Sequence, residues 1–287
     1  QEVVLGIGGQ RMMRELGYDK ITNHQMNEGH AAFLTLELLR QYSEELGNTE
    51  KATEKAIEKG REKCVFTTHT TVPAGIDRLN YGVVGNILGD ELPNGITKYA
   101  GNENLNMALL AMFFSRYINA VSIRNAEVAR KLFPGYTIDS ITNGVHSLTW
   151  ASQPMQIVFD QYVPEWREDP SNLRNISLLP EKLQKILLSE IKCAHDVSKA
   201  ILFDYIKKSK GIEFDLSVLT IGFARRFASY KRPDLIFRYL DELIRIVKDT
   251  KHPIQLLYAG KAHPKDDPGK ELIQKVNKAI KERFNGL

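Results

Sequence analysis

Residues 222–234 read GFARRFASYKRPD, and four cations, Arg225, Arg226, Lys231 and Arg232, fall within eight of these positions. They are interleaved with Phe227, Ala228 and Tyr230, and sit between a β-like run, LSVLTIGF (216–223), and a helical pattern opening at Pro233. Cations at a strand end facing a helix N-terminus suit an anion. Arginine can grip a phosphate with two parallel N–H groups, lysine acts as a point charge, and the first turn of a helix offers free backbone donors. A solvated basic loop is the plain alternative; the interleaved apolar residues and the position after a strand favour the anion site.

Other polar residues follow other β-like runs. KCVFTT (63–68) leads into His69, IDSIT (138–142) into Asn143, and the stretch HQMNEGHAAF (24–33) carries Asn27, Glu28 and His30. Taken singly, each has an ordinary explanation: a core histidine, an Asn-Gly turn, the capping residues of a helix. Ligands of open α/β sheets bind at the carboxyl ends of the strands. By that rule these residues share one edge of a sheet, which suggests a single polar cleft. GIGGQR (6–11) lacks the third glycine of a dinucleotide fingerprint, because Arg11 stands in its place. A tight turn before a helix QRMMREL accounts for it.

The elements that must position these residues alternate between short β-like and longer helical runs, which predicts an α/β architecture with parallel sheet. Strands are expected at 63–68, 118–123, 138–142, 216–223 and 254–260. Helices are expected at 30–46, 105–117, 179–208 and 233–249, the last with Pro233 in its first turn. The charged run 44–63 reads as a solvated helix. Residues 75–103, rich in Gly and Asn without periodicity, read as a long functional or mobile loop.

Composition excludes several classes. The 287 residues suggest about two domains. A net charge of +4, from 39 Lys+Arg against 35 Asp+Glu scattered among one another, is too mild for a nucleic-acid binder. Cys64 and Cys193 show no metal or disulfide spacing, so no metal is expected and a reducing, cytoplasmic compartment is. No apolar run approaches the length of a membrane span. The chain opens without Met inside VVLGIGG and stops at FNGL, so both ends read as cut from something longer.

The stretches LGIGGQRMMRELGYD, HQMNEGHAAF, FTTHTTVPAG, NMALLAMFFSRYINAVS, ITNGVHSLTW, TIGFARRFASYKRPDLIF and YAGKAHPKDDPGKELIQ together resemble the α-glucan (glycogen, starch, maltodextrin) phosphorylases. The likeness is to their shorter bacterial and archaeal branch. It implies a glycosyltransferase-B fold of two Rossmann-like domains with parallel sheets and an interdomain cleft. Residues 1–147 would close the first domain, on the glucose side. Residues 148–287 would open the second, on the cofactor and phosphate side.

The implied reaction is retaining phosphorolysis of an α-1,4-glucan or maltodextrin by inorganic phosphate to glucose 1-phosphate. Pyridoxal phosphate would be the cofactor, used through its phosphate rather than its aldehyde. By the resemblance, Arg226 and Lys231 hold the substrate phosphate, and Arg225, Trp150 and Lys231 lie at the cofactor. His69 and Asn143 meet the glucose 6-hydroxyl, and Tyr230 meets the glucosyl ring. Asn27, Glu28 and His30 line the cleft, and Asp77 lines a channel beside it.

The family's glycine-rich phosphate loop would precede Gln1 and its cofactor lysine would follow Leu287, so the 287 residues alone are expected to be inactive. Departures from the family pattern are Ala228 and Ser229 for a His-Glu pair, Thr71 for proline, Asn125 for histidine and Ala120 for glycine. A nucleotide-sugar glycosyltransferase of the same fold, such as a glycogen synthase, is the enzymatic alternative. A non-catalytic glycan-binding piece is the other alternative, and a homo-oligomer is left open.

Overall fold

The polar residues are positioned by two parallel sheets, one in each of two compact units, Gln1–Val145 and His146–Leu287. The computed structural model describes residues 1–47, 49–70, 72–249 and 251–284; Thr71 lies outside them. The first unit runs α1 (Gly9–Glu15), β1 (His24–Asn27), α2 (Leu34–Leu46), α3 (Glu50–Lys63), β2 (Cys64–Thr68), β3 (Arg78–Leu79), α4 (Tyr81–Leu88), α5 (Thr97–Ala100), β4 (Leu105–Asn106), α6 (Met107–Phe113), β5 (Tyr117–Ala120), α7 (Ile123–Leu132) and β6 (Asp139–Ser140).

Its main sheet has the order β1-β2-β5-β6, all parallel, with Met26 opposite Phe66 and Phe66 opposite Ile118. Met26, Cys64, Phe66 and Ala120 are fully buried, as expected of a parallel sheet covered by helices. β6 is only two residues long. Its pairing with β5 nevertheless persists: the N–H groups of Ile141 and Asn143 donate to the carbonyls of Ala120 (2.9 Å) and Val121 (3.1 Å).

Several expected elements differ. HQMN is a strand, not the approach to a helix, and Glu28 makes no side-chain cap on the turn that follows. GIGG is no tight turn: Val4–Gly8 is a wide helical turn running directly into α1. Gly6 is needed there because a Cβ would lie 2.6 Å from the Leu34 nitrogen. The run 44–63 is broken at Gly47, which takes a left-handed φ of 96° and ends α2 before α3 begins. Residues 75–103 contain α4 and α5; the overlooked signal is Asn80, whose Oδ1 accepts the Gly82 N–H at 2.8 Å as an N-cap. The strand expected at 118–123 ends at Ala120, because Ser122 caps α7 by accepting the Asn125 N–H at 3.1 Å.

Beneath α1 and α2 lies an ion network. Glu37, 1% exposed, accepts from Arg11 Nε (3.0 Å), Arg40 Nη2 (2.7 Å) and Gln41 Nε2 (2.8 Å). Arg11 also reaches Glu91 at 2.9 Å, tying the 81–91 segment to the helices. Burial pushes the Glu37 carboxyl up, but the hydrogen bonds from Arg40, Arg11 and Gln41 outweigh it and hold it at about 2. The unfolded chain, at the ordinary value of 4.5, therefore takes up the proton first. The stability this carboxylate contributes is present above pH 4.5 and is lost as pH falls towards about 2. Glu37→Ala leaves two arginines without their buried partner and should cost about 3 kcal/mol at pH 7. Denaturant unfolding at pH 7 and pH 3 checks this: the gap between wild type and variant should shrink in acid. A gap independent of pH would show that the charge on Glu37 contributes nothing.

The second unit runs α8 (Ser147–Trp150), α9 (Gln153–Tyr162), a 3-10 segment Pro170–Leu178, α10 (Glu181–Lys210), β7 (Leu219–Ala224), α11 (Leu240–Val247), β8 (Ile254–Ala259) and α12 (Asp267–Arg283). β7 and β8 pair in parallel from Leu219–Ile254 to Ala224–Ala259. Phe223 stacks on Tyr258 at 5.3 Å, over a core of Phe227, Phe237, Leu243 and Val276. The helix expected from Pro233 is instead a short turn, Leu235–Phe237, followed by α11. Asp234 does not cap it; its carboxylate is taken by Lys275 of α12 at 2.8 Å. Among the described residues no helix is long and apolar enough to cross a membrane.

Candidate functional site

In the first unit the carboxyl ends of β1 and β2 bring Asn27, Glu28 and His69 together. His69 Nε2 lies 2.6 Å from Asn27 Oδ1. One oxygen of the Glu28 carboxylate, Oε1, accepts the His69 N–H and, at 3.2 Å, the Thr70 N–H; the other, Oε2, accepts the Thr70 hydroxyl at 2.9 Å. Glu28 itself has φ 66° and ψ 177°, a region rarely taken by residues other than glycine. Its N–H donates to the Thr67 carbonyl at 2.9 Å, so the sheet and the three carboxylate bonds together hold this backbone in place. His30 Nδ1 meets Asp77 Oδ2 at 2.9 Å, and the Asp77 carbonyl accepts the Met107 N–H. Asn143 is held by its backbone at the end of β6, on the same edge of the sheet.

In the second unit the strand ladder continues past β7 and β8. The Arg225 N–H donates to the Ala259 carbonyl (3.2 Å) and the Phe227 N–H to the Lys261 carbonyl (3.0 Å). Phe227 and Ala228 are buried, so the loop is pinned by its apolar residues while the residues before and after them stay accessible. Ser229–Lys231 form one 3-10 turn, and Arg232 follows in a left-handed conformation, φ 51° and ψ 53°. Tyr230 is 62% exposed, with Lys231 Nζ 5.6 Å from its ring centre. Hydrogen bonding to Arg226, and then the charge of Lys231, hold its phenol below the ordinary range against the push of burial.

Among the described residues no carboxylate pairs with Arg225, Arg226 or Lys231, whereas the neighbouring Asp234 is neutralised by Lys275. A cleft of about 440 Å³ opens beside Ser229 against α12. Its charged lining is Asp234, Glu271 and Lys275; the three candidate cations do not line it, and its acidic balance does not suit an anion.

The structure thus gathers Asn27, Glu28, His30, His69 and Asp77 in the first unit and Arg225, Arg226, Tyr230 and Lys231 in the second. Trp150 is 78% exposed on α8 and has no aromatic partner among the described residues. Sequence reasoning misses Thr70, which shares the Glu28 carboxylate, and the amide of Asn125, which donates to the His69 carbonyl at 3.1 Å. For Asn125 a signal exists: Ser122 three residues earlier marks a capped helix start, so that residue 125 lies in the first turn behind a strand end. Among the described residues no cluster of His, Cys, Asp and Glu suits a metal.

Residues 94–285 match the carbohydrate phosphorylase family. The chain is 36% identical to a maltodextrin phosphorylase of Thermococcus litoralis, with 96% of this chain and 35% of that protein covered. It is 31% identical to a glycogen phosphorylase of Aquifex aeolicus (100% and 45%) and 32% identical to one of Mycobacterium tuberculosis (96% and 36%). The chain belongs to the carbohydrate phosphorylase family, as the resemblance of its motifs implies. It spans between a third and a half of the length of these relatives. The mixed α/β units with parallel sheets agree with the glycosyltransferase-B fold.

Proposed function

We propose that the chain carries glucosyl- and phosphate-binding residues of an α-1,4-glucan phosphorylase. That enzyme would transfer the terminal glucose of glycogen or maltodextrin to inorganic phosphate with retention, giving glucose 1-phosphate. The single observation that carries this is the loop 225–232: cations without carboxylate partners among the described residues, fixed by two strand ends and by buried Phe227 and Ala228. The names of the relatives, maltodextrin and glycogen phosphorylase, support the substrate class.

In the reaction the C1–O bond to the next glucose breaks, a phosphate oxygen bonds C1, and a phosphate proton goes to the departing 4-oxygen. Arg226 and Lys231 hold the substrate phosphate. Tyr230 rests against the glucosyl ring, and His69 and Asn143 hydrogen-bond its 6-hydroxyl. Asn27, His30 and Asp77 line the polar edge around it.

The donor set also fits pyridoxal phosphate. Three cations that no carboxylate pairs with among the described residues can hold two phosphate groups, and their charge offsets the mutual repulsion of those groups. Arg225, Lys231 and Trp150 are the residues on the cofactor side. When bound, the cofactor supplies a phosphate that exchanges a proton with the substrate phosphate. Arg226 and Lys231 would offset the like charge of the two phosphates and so allow them to lie close together.

The test uses the full-length protein with maltodextrin, inorganic phosphate and pyridoxal phosphate. Glucose 1-phosphate should form. In the synthetic direction the enzyme should prefer glucose 1-phosphate to its 6-deoxy analogue, and Asn143→Ala should shrink that preference about 10-fold, since a polar group that bound substrate covers and leaves unpaired costs about 1–3 kcal/mol. Release of a nucleoside diphosphate from a nucleotide sugar, with no phosphorolysis, would overturn the reading. An unchanged preference in Asn143→Ala would remove Asn143 from the 6-hydroxyl.

A further inference from the structure

His69 is the first residue after β2 and has left the strand ladder, yet both of its peptide groups are tied. On one side Glu28 takes its N–H. On the other, Asn125 Nδ2 donates to its carbonyl at 3.1 Å. Asn125 is only 7% exposed and sits in the first turn of α7. Its Oδ1 accepts the Val121 N–H at 3.3 Å, and its own N–H donates to Ser122 Oγ at 3.1 Å. One amide therefore joins the end of β5 to the residue beyond β2. Its orientation is set by its partners: reversed, it would turn its NH2 against the Val121 N–H and its oxygen against the His69 carbonyl.

We propose that Asn125 is a positioning residue for His69: its buried amide, opposite the Glu28 carboxylate, fixes the depth at which the His69 imidazole meets the sugar. This rests on the reading of His69 as a contact to the transferred glucose. The clamp has a chemical requirement, a donor towards His69 and an acceptor towards Val121. Aspartate keeps the size and shape of the side chain but turns an acceptor onto the His69 carbonyl. Alanine removes both bonds. A neutral histidine presents one N–H donor and one acceptor nitrogen and can play both parts.

The experiment is a double-mutant cycle in the full-length enzyme, read as kcat and KM for glucose 1-phosphate together with the melting temperature. Asn125→Asp should lower kcat/KM about 10- to 100-fold, because the loss of one buried hydrogen bond leaves its partner unpaired. Asn125→His should recover most of that loss. In a His69→Ala background the further effect of Asn125→Asp should fall to within about 3-fold, since a residue acting through His69 has nothing left to position. Losses that multiply in the double variant, or a loss that follows only the melting temperature, would overturn the clamp while leaving the phosphorylase reading intact. A wild-type enzyme that forms no glucan from glucose 1-phosphate would overturn both.

Discussion

Replacing Lys231 or Arg226 by alanine in the full-length protein should lower the turnover of phosphorolysis by about 100-fold or more, while glucan affinity changes only a few-fold. The asymmetry follows from what the loop 225–232 offers. Its exposed groups are cations that lack acidic partners among the described residues, together with the ring of Tyr230. On the proposed reading their chemistry addresses phosphate, whose charge would be redistributed as the glycosidic bond breaks, and scarcely addresses the neutral glucan. An electrostatic stabiliser aimed at developing charge contributes mainly to the transition state, so its loss appears in kcat. Lys231→Arg separates charge from shape: a guanidinium restores the charge but not the compact ammonium, and recovery should be partial. Phosphorolysis rates and glucan-binding isotherms for the three variants decide the matter. Undiminished turnover in both alanine variants would detach the loop from the chemistry. A parallel collapse of glucan binding would mean that the loop shapes the sugar site instead.

That loop is legible in the sequence because clustered charge after a β-like run is a local signal. The strand β7 ends at Ala224, beside the expected end at 223, and the cations follow at once. The residues around His69 are less legible. β1 is four residues long and reads HQMN, so neither apolar alternation nor β-branched side chains betray it. A shared polar edge follows from the strand-end rule, but without β1 the direct contacts of Asn27 and Glu28 with His69, about forty positions away in the chain, do not. The pairing is created by parallel register, Asn27 opposite Thr67, which is a property of the sheet and not of either segment.

Asn125 illustrates the same limit from the other side. Read along the chain it is one polar residue in an amphipathic helix, and only the adjacency of β2 and β5 turns its amide towards the His69 carbonyl. The helix expected from Pro233 fails for a tertiary reason too, since Asp234 is drawn to Lys275 of α12. Local pattern thus carries the order of the elements and the charged loop, while cross-strand and cross-helix contacts decide which polar groups meet.

Gly260→Ala should release the basic loop 225–232 from its sheet although residue 260 contributes no side chain to the candidate site. A Cβ built there lies 2.2 Å from the Arg225 carbonyl oxygen and 3.1 Å from Phe227 Cδ2. The first clash is with backbone, which cannot rotate away as a flexible side chain would. It falls between the two bonds that extend the ladder, Arg225 N–H to Ala259 and Phe227 N–H to Lys261. Either β8 withdraws, breaking those bonds, or the Arg225 peptide turns, carrying Arg225 and Arg226 with it. Overpacking against a fixed backbone costs about 1–3 kcal/mol, and the lost bonds add to it. Gly222→Ala is the internal control: it lies in β7 on the same ladder, but a Cβ there meets nothing within 4 Å. Amide hydrogen exchange should show the peptide spanning 225–232 losing protection about 10- to 100-fold in Gly260→Ala and staying near wild type in Gly222→Ala. Turnover should fall with that protection, to the level of Lys231→Ala. Wild-type protection and turnover in Gly260→Ala would mean that the ends of β7 and β8 do not set the position of the cations.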